Sequence, residues 1–504
     1  MSLLGIDIGT SSCKGVVFTY EGEIISKCSK KYSLYITPPN IVEANAEELW
    51  YKIIEIIKEL AQQATYKNDP IEAIAISSHG ETFIPIDKEG NPVGPAIMNA
   101  DNRALEESNW LEKVLGKEKI YAITGLPAHP MYSLPKILWL KRHKPEIYAS
   151  AKKFVGVADF ILSRLGFASY TDYSLASRTM MFDIRKRSWS DEILEAVEID
   201  PERLSVPLPA GGKLGTIDKE IAKELGLSGD VVITLGGHDQ PCGALGAGVT
   251  NQETVYDSAG TYECLVAVSD SPMNTKEAFK SNLNSYCHVI PNKYVTLAFS
   301  PGGMAVQWFL KEFCSEEVQD IENLGVNEYE IFNKNIPESP TGICFIPHLV
   351  GSGNPSWNPN AKGIISGITL STTKYHIYKA IFEGIACELA INIKVLEEIL
   401  GKVNTIYLSG GTAKTDFSIQ IRSDITNKKI KTLINQETVC LGAAILAGTA
   451  LGVYKDISEG IQKTVKFGKE YLPQSINIER YKIQKRRYEL LYSTLIGLWN
   501  EGGG

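Results

Sequence analysis

The chain has 504 residues, 44% hydrophobic and 22% charged, an ordinary globular composition at a length beyond what one hydrophobic core serves, so two large domains are expected. A formal net charge of −8, with no lysine- or arginine-rich stripe, excludes a nucleic-acid footprint. Nine scattered cysteines, never in a C-x-x-C pair, argue against a disulfide framework and a structural zinc site; with no basic-then-apolar leader and no apolar run long enough for a bilayer, the expected setting is the reducing cytoplasm, away from membranes.

Two apolar runs, Leu3-Leu4-Gly5-Ile6 and Val16-Val17-Phe18, flank the polar centre Gly9, Thr10, Ser11 and Ser12, which predicts a β-hairpin whose turn needs glycine. N–H groups and hydroxyls of such a turn can cradle phosphate oxygens, with Asp7 holding magnesium through water and Lys14 adding positive charge. The alternative is an ordinary hairpin with a chance Asp and Lys. A strand over 23–28 follows, then a helix over 46–65 with Leu49, Ile53, Ile56, Ile57 and Leu60 at helical spacing, then a strand over 71–76. That order opens an α/β domain with a mostly parallel sheet, whose ligands sit beyond the carboxyl ends of the strands. Ser77-Ser78-His79-Gly80-Glu81 falls there: Gly80 lets the backbone approach a ligand, and His79 and Glu81 offer hydrogen-bonding groups suited to hydroxyls. Asp101 and Arg103, in the cluster 99–103, are a further candidate pair; the alternatives are a loop histidine and an exposed salt bridge or helix cap.

Residues 125–206 predict mostly helices, including 134–142, 158–165 and 191–197, as a cap on the first domain. A buried strand over 230–235 then ends at Gly236-Gly237-His238-Asp239-Gln240-Pro241, before the small-residue helix 243–248. A carboxylate delivered on a glycine-rich turn at a strand end suits a general base, which must come within hydrogen-bond reach of a hydroxyl; capping the next helix is the other reading of Asp239. The dinucleotide fingerprint and G-x-x-x-x-G-K-[S/T] are both absent, which excludes a nicotinamide-dependent dehydrogenase. Half a chain after the first hairpin, Asp257-Ser258-Ala259-Gly260-Thr261 followed by an apolar run repeats the pattern of an Asp, a Gly-Thr turn and a strand. Strands over 254–257, 263–268 and 294–298, a helix after Gly303, a loop-rich stretch 345–359, a helix over 374–400, a strand over 403–408, the turn Ser409-Gly410-Gly411-Thr412-Ala413 and a buried closing helix over 441–454 complete the chain.

With Asp7-x-Gly9-Thr10, Gly236-Gly237-His238-Asp239-Gln240, Gly260-Thr261 and Ser409-Gly410-Gly411 in order, together with Trp189-Ser190 and Leu441-Gly442-Ala443-Ala444, nearly the whole chain resembles the FGGY carbohydrate kinases, which include xylulokinases, glycerol kinases and gluconokinases. The resemblance implies two α/β domains, 1–247 and 248–500, each on a ribonuclease-H-like core of the actin, hexokinase and heat-shock ATPase type, with ATP and Mg2+ in the cleft between them. It places Thr10, Ser11, Ser12 and Lys14 at the terminal phosphates, Asp7 at magnesium, Gly260 and Thr261 at phosphates from the second domain, and Gly303, Gln307, Gly410 and Gly411 at the nucleotide. Thr415 stands where glycerol kinases carry an asparagine. His79, Gly80, Glu81, Asp101, Arg103, Asp239 and Gln240 fall at the sugar, with Asp239 as the base.

Glycerol kinases carry Arg-Glu and xylulokinases Met-His where this chain has Gly80-Glu81. A glycine there is expected to open space for a larger polyol or ketose, with a xylulose-like ketose favoured, and Glu81 to repel a sugar acid such as gluconate. Glycerol or gluconate as acceptor, and a non-catalytic nucleotide-gated interaction protein, are the alternatives. The partner is a small sugar or polyol, with a homodimer as the candidate assembly.

Overall fold

The computed structural model describes residues 1–38, 41–227, 230–315, 332, 335–411 and 415–501. Strand β1 (Ser2–Ile8) pairs antiparallel with β2 (Ser12–Phe18), Asp7 opposite Lys14, and β3 (Ile24–Lys31) continues the meander. Helix α1 (Ala46–Tyr66) starts where the Asn45 side chain accepts the N–H groups of Glu47 and Glu48, a cap worth about 1 kcal/mol. It buries Leu49, Ile53, Ile56, Ile57 and Leu60 completely, each worth roughly 1.5–3 kcal/mol, so its apolar face does most to hold it. Gly15 on β2 leaves room for that face, since a Cβ there would stand 2.6 Å from Ile56 Cγ2. The helix returns the chain so that β4 (Ile71–Ser78) runs parallel beside β1.

Beyond β4 come helices that include α2 (Ser133–His143) and α3 (Tyr173–Ser177), as the sequence predicts for 125–206. Short strands Phe83–Ile86, Ala96–Ile97 and Lys153–Gly156 also join Leu34–Thr37 and Ile41–Ala44 in a five-stranded sheet that was not expected, because two to four residues carry too little periodicity. Strands β5 (Lys213–Thr216) and β6 (Val232–His238) complete the first large sheet, in the order β5-β6-β4-β1-β2-β3. The expected mostly parallel sheet is corrected to a mixed one: only β1–β4 and β4–β6 pair parallel. Helix α4 (Asp239–Gly246) leaves the end of β6 without an intervening loop.

The second half repeats this wiring. Strands β7 (Thr254–Ala259), β8 (Tyr262–Ser269), β9 (Asn284–Cys287) and β10 (Tyr294–Pro301) pair antiparallel in the order β9-β10-β8-β7. Helices α5 (Met304–Phe313) and α6 (Lys374–Leu400) follow, and β11 (Thr405–Ser409) then runs parallel to β7 as β4 does to β1. Helix α7 (Asp416–Thr426), parallel strand β12 (Lys429–Leu433), helix α8 (Thr438–Leu451), edge strand β13 (Phe467–Tyr471) and helix α9 (Ser475–Glu501) finish the fold. The half-chain repetition seen in two Gly-Thr turns is therefore one of topology: an antiparallel meander, two parallel strands, then an antiparallel edge.

Helix α8, the expected closing helix, packs on β1, β4 and β6 of the first sheet and along α4, while α4 touches β7 and β8 of the second. The two helices cross at glycines. A Cβ on Gly246 would stand 1.9 Å from the Thr438 carbonyl oxygen, and one on Gly442 2.0 Å from that of Cys242.

Candidate active site

Three residues, Gly9, Thr10 and Ser11, link β1 to β2. The Gly9 amide donates to the Ser12 carbonyl at 2.9 Å and the Tyr32 hydroxyl holds the Gly9 carbonyl at 2.7 Å, which fixes the turn. Among the described residues the amides of Thr10 and Ser11 make no backbone hydrogen bond, so they are the donors the turn can offer an anion. Thr10 Oγ1 is tied to Asn99, whose Nδ2 donates to it at 3.1 Å. Lys14 is not the free cation expected: its Nζ donates to Glu437 Oε2 at 2.7 Å, and Glu437 also faces Lys27. This pair joins the first hairpin to the start of α8.

Burial pushes the Asp7 carboxyl up to about 6 against the pull of Lys14. Its Oδ1 and that of Asp239 are both buried without a hydrogen-bond partner among the described residues. Asp239 is the first residue of α4, whose N-cap is His238, so the expected glycine-rich loop is corrected to a bulge at the end of β6 running straight into a helix. Both glycines there are demanded by close approach: a Cβ on Gly236 would stand 2.1 Å from the Ile76 carbonyl oxygen, and one on Gly237 2.3 Å from Val289 Cγ1. His238 Nε2 lies 3.3 Å from Asp239 Oδ1, while its Nδ1 pairs with the Tyr286 hydroxyl at 2.9 Å. Burial, then Asp7 and Glu81, push the Asp239 carboxyl up to about 8, with the Gln240 amide and Arg178 pulling the other way. Gln240 is half-buried beside it, with Oε1 unpartnered.

The expected sugar contacts divide. His79 is 3% exposed and both ring nitrogens are engaged, Nδ1 with the Ile8 carbonyl and Nε2 with Thr82 Oγ1, each at 2.8 Å, so it braces β4 against β1 instead of offering itself to hydroxyls. Asp101 is fully buried, accepting the Val42 amide at 2.7 Å and the Arg103 guanidinium, which also pairs with Glu43 and lies over Trp139. That pair is neither exposed nor free; it ties the loop 99–103 to strand Ile41–Ala44. Glu81 is no lone carboxylate either, because the Arg178 Nε donates to its Oε1 at 2.5 Å. Nor does Gly80 open space: a Cβ there would stand 2.8 Å from Arg178 Cβ and 2.9 Å from His238 Cδ2.

In the second half, Gly260 and Thr261 turn between β7 and β8, and their carbonyls accept the amides of Gly303 at 2.9 Å and Met304 at 3.1 Å. Gly410, at φ +115°, has its Cβ direction closed by the Ala259 carbonyl oxygen at 2.3 Å. These contacts gather Gly260, Thr261, Gly303 and Gly410 at one end of the second sheet, with Gln307 and Gly411 exposed beside them. Thr412 and Ala413 lie outside the described residues. The N-terminal-domain model of the FGGY family of carbohydrate kinases matches residues 2–246, and the C-terminal-domain model matches 255–451. The chain belongs to the FGGY family of carbohydrate kinases. It is 30% identical over 496 residues to a gluconokinase of Bacillus subtilis (strain 168), covering 95% of each chain, and 30% identical over 496 residues to a xylulose kinase of Staphylococcus epidermidis, covering 97% of this chain and 96% of that one. A crystal structure of a xylulose kinase from Lactobacillus acidophilus superposes with a TM-score of 0.89 at 27% identity, covering 99% of both chains.

As a member of this family the chain is an ATP-dependent carbohydrate kinase, with two α/β domains. No helix among the described residues is long and apolar enough to cross a membrane. Four side chains at the site carried no signal in the sequence. Arg178 follows a five-residue helix with no motif, and Asn284 and Tyr286 lie on β9, in the half expected to serve the nucleotide, yet Asn284 Oδ1 accepts from Arg178 Nη1 at 3.0 Å and from the Tyr132 hydroxyl at 2.6 Å. Glu437, the fourth, precedes α8. His238 stood in a noted motif, but only the structure gives it a partner.

Proposed function

We propose that the chain transfers the γ-phosphoryl group of ATP to a hydroxyl of a small neutral polyhydroxy acceptor, a xylulose-like ketose first among them, with Asp239 as general base. The buried Oδ1 of Asp239, approached by His238 Nε2 at 3.3 Å but making no hydrogen bond among the described residues, and held by β6 and α4 where α4 touches the second sheet, carries this reading. Asp239 takes the hydroxyl proton as the oxygen bonds to the γ-phosphorus and the bond to the β-phosphate oxygen breaks, releasing ADP. Thr10, Ser11 and Ser12 from one hairpin and Gly260 and Thr261 from the other meet the phosphates, and Gly303, Gln307, Gly410 and Gly411 the rest of the nucleotide. The buried, unpartnered oxygens of Asp7 and Asp239 are hard donors that suit Mg2+, which when bound offsets phosphate charge; among the described residues no cluster of three His, Cys, Asp or Glu exists, so the ion would be held by Asp7 and the nucleotide. Residues 1–247 and 248–500 divide this labour, except that Asn284 and Tyr286 bring the second half to the acceptor.

The neutrality of the acceptor rests on pairing rather than on repulsion by Glu81: Arg178, Arg103 and Lys14 each already face a carboxylate. A coupled ADP-release screen of ketoses, polyols, aldoses and sugar acids tests the reading, and a sugar acid as best acceptor overturns its neutral part. The two hairpins stand on different sheets, so one triphosphate reached by both draws the halves together. Small-angle scattering is expected to give a smaller radius of gyration for the ternary complex with a non-hydrolysable ATP analogue than for the free protein; an unchanged radius argues against closure. Without acceptor, ATP hydrolysis is expected to be slow.

A further inference from the structure

Glu81 sits at φ +64°, a backbone conformation that a non-glycine residue keeps only where its surroundings impose it. Here the Ser133 hydroxyl holds its carbonyl at 2.9 Å and Arg178 holds its carboxylate. Arg178 is 5% exposed and lies between the rings of Tyr132 and Tyr286, 5.2 and 4.9 Å from their centroids. Its stem fills the space into which a side chain at position 80 would grow, next to His238, the neighbour of the base.

Resting on the reading above, we infer that Arg178 determines acceptor specificity, and that with Glu81 it forms a net-neutral donor and acceptor pair that binds adjacent hydroxyls of an uncharged acceptor. A guanidinium carries five N–H groups, and the bonds to Glu81 and Asn284 leave donors on its terminal nitrogens. Each hydroxyl of a vicinal diol both donates and accepts, so one such pair can satisfy both. A carboxylate in the same place finds no guanidinium without a counter-charge: Arg178 is paired with Glu81 and Arg103 with Asp101 and Glu43, while burial pushes the Lys136 amine down to about 7 and the Met98 carbonyl accepts from it. Removing the charge of Glu81 alone frees the Arg178 guanidinium.

The test measures kcat/KM on a panel of neutral ketoses, polyols and aldonates for the wild type, Arg178→Lys, Arg178→Gln, Glu81→Gln and the double variant Glu81→Gln/Arg178→Gln, with ADP binding by calorimetry and thermal melting as checks of fold. Both Arg178 variants are expected to lose roughly 30-fold or more on the best neutral acceptor while still binding ADP, the scale of lost charge-assisted hydrogen bonds. Glu81→Gln is expected to raise the aldonate-to-neutral ratio of kcat/KM by about tenfold or more. The double variant, with no unpaired buried charge, is expected to regain melting temperature without regaining kcat/KM, which a merely structural role does not predict. A folded Arg178→Lys enzyme within about threefold of wild type, or a ratio unmoved in Glu81→Gln, overturns the inference. A wild type that releases no ADP with any acceptor instead overturns the proposed function beneath it.

Discussion

Asp239→Asn is expected to lower turnover by ~10²-fold or more while leaving ATP affinity in place, the scale of a positioned general base. Near-wild-type turnover would return Asp239 to a structural role at the start of α4. The pH dependence adds a second signature. Burial, Asp7 and Glu81 hold the carboxyl at about 8, against the Gln240 amide and Arg178, so wild-type kcat/KM is expected to rise between pH 6 and 8 as the base form fills, and the residual rate of Asp239→Asn to lack that limb. Stability is expected to move the other way. The folded state holds this proton from about 4, where the unfolded carboxyl loses it, up to about 8, so the contribution of Asp239 to stability falls across that window as pH rises. Asp239→Asn should therefore melt like wild type near pH 4 and above it near pH 8; a melting advantage that shrinks with rising pH argues against the buried-acid account.

Gly442→Val and Gly246→Val are expected to cost roughly 3 kcal/mol each, at the upper end of overpacking effects. Each new Cβ would fall about 2 Å from a backbone carbonyl oxygen of the facing helix, and backbone cannot swing aside as a side-chain tip can. Gly497→Ala on α9 is the control: nothing lies within 4 Å of its Cβ direction, so the gain in helix propensity, about 0.5–1 kcal/mol, should show. Thermal melts of the three decide it, and a Gly442→Val protein as stable as wild type would mean that α4 and α8 do not hold the halves together as described.

What was legible in the sequence was what repeats or punctuates: the first hairpin, the period of α1, the strand to Asp239, the length of α6. What was not legible depended on partners distant in sequence. Helix α9 carries weak apolar periodicity because polar handles help to fasten it: the Tyr481 hydroxyl and Gln484 Nε2 donate to Glu383 at 3.1 and 2.6 Å, and the Tyr488 hydroxyl to Glu388 at 2.5 Å. The motif residues Gly80, Glu81 and Asp239 could be read from the sequence, but the side chains they pair with could not. Glu81 could be seen, and Arg178, 97 residues on, could not. A sequence displays a charge without displaying its counter-charge, so the expectation that Glu81 repels acids treated half of a pair as the whole.

Strand β9 does more than edge the second sheet. The Ser285 amide donates to the Gly125 carbonyl at 2.9 Å, the Tyr121 hydroxyl to the Leu283 carbonyl at 2.9 Å, and Tyr286 reaches His238. The second half is thus pinned to the first here as well as where α4 crosses α8. A body pinned at one point can pivot in any direction, whereas one pinned at two can only swing about the line that joins them, as a door does between its hinges. If the halves close on a triphosphate as proposed, the two hairpins are expected to approach each other along an arc about that line.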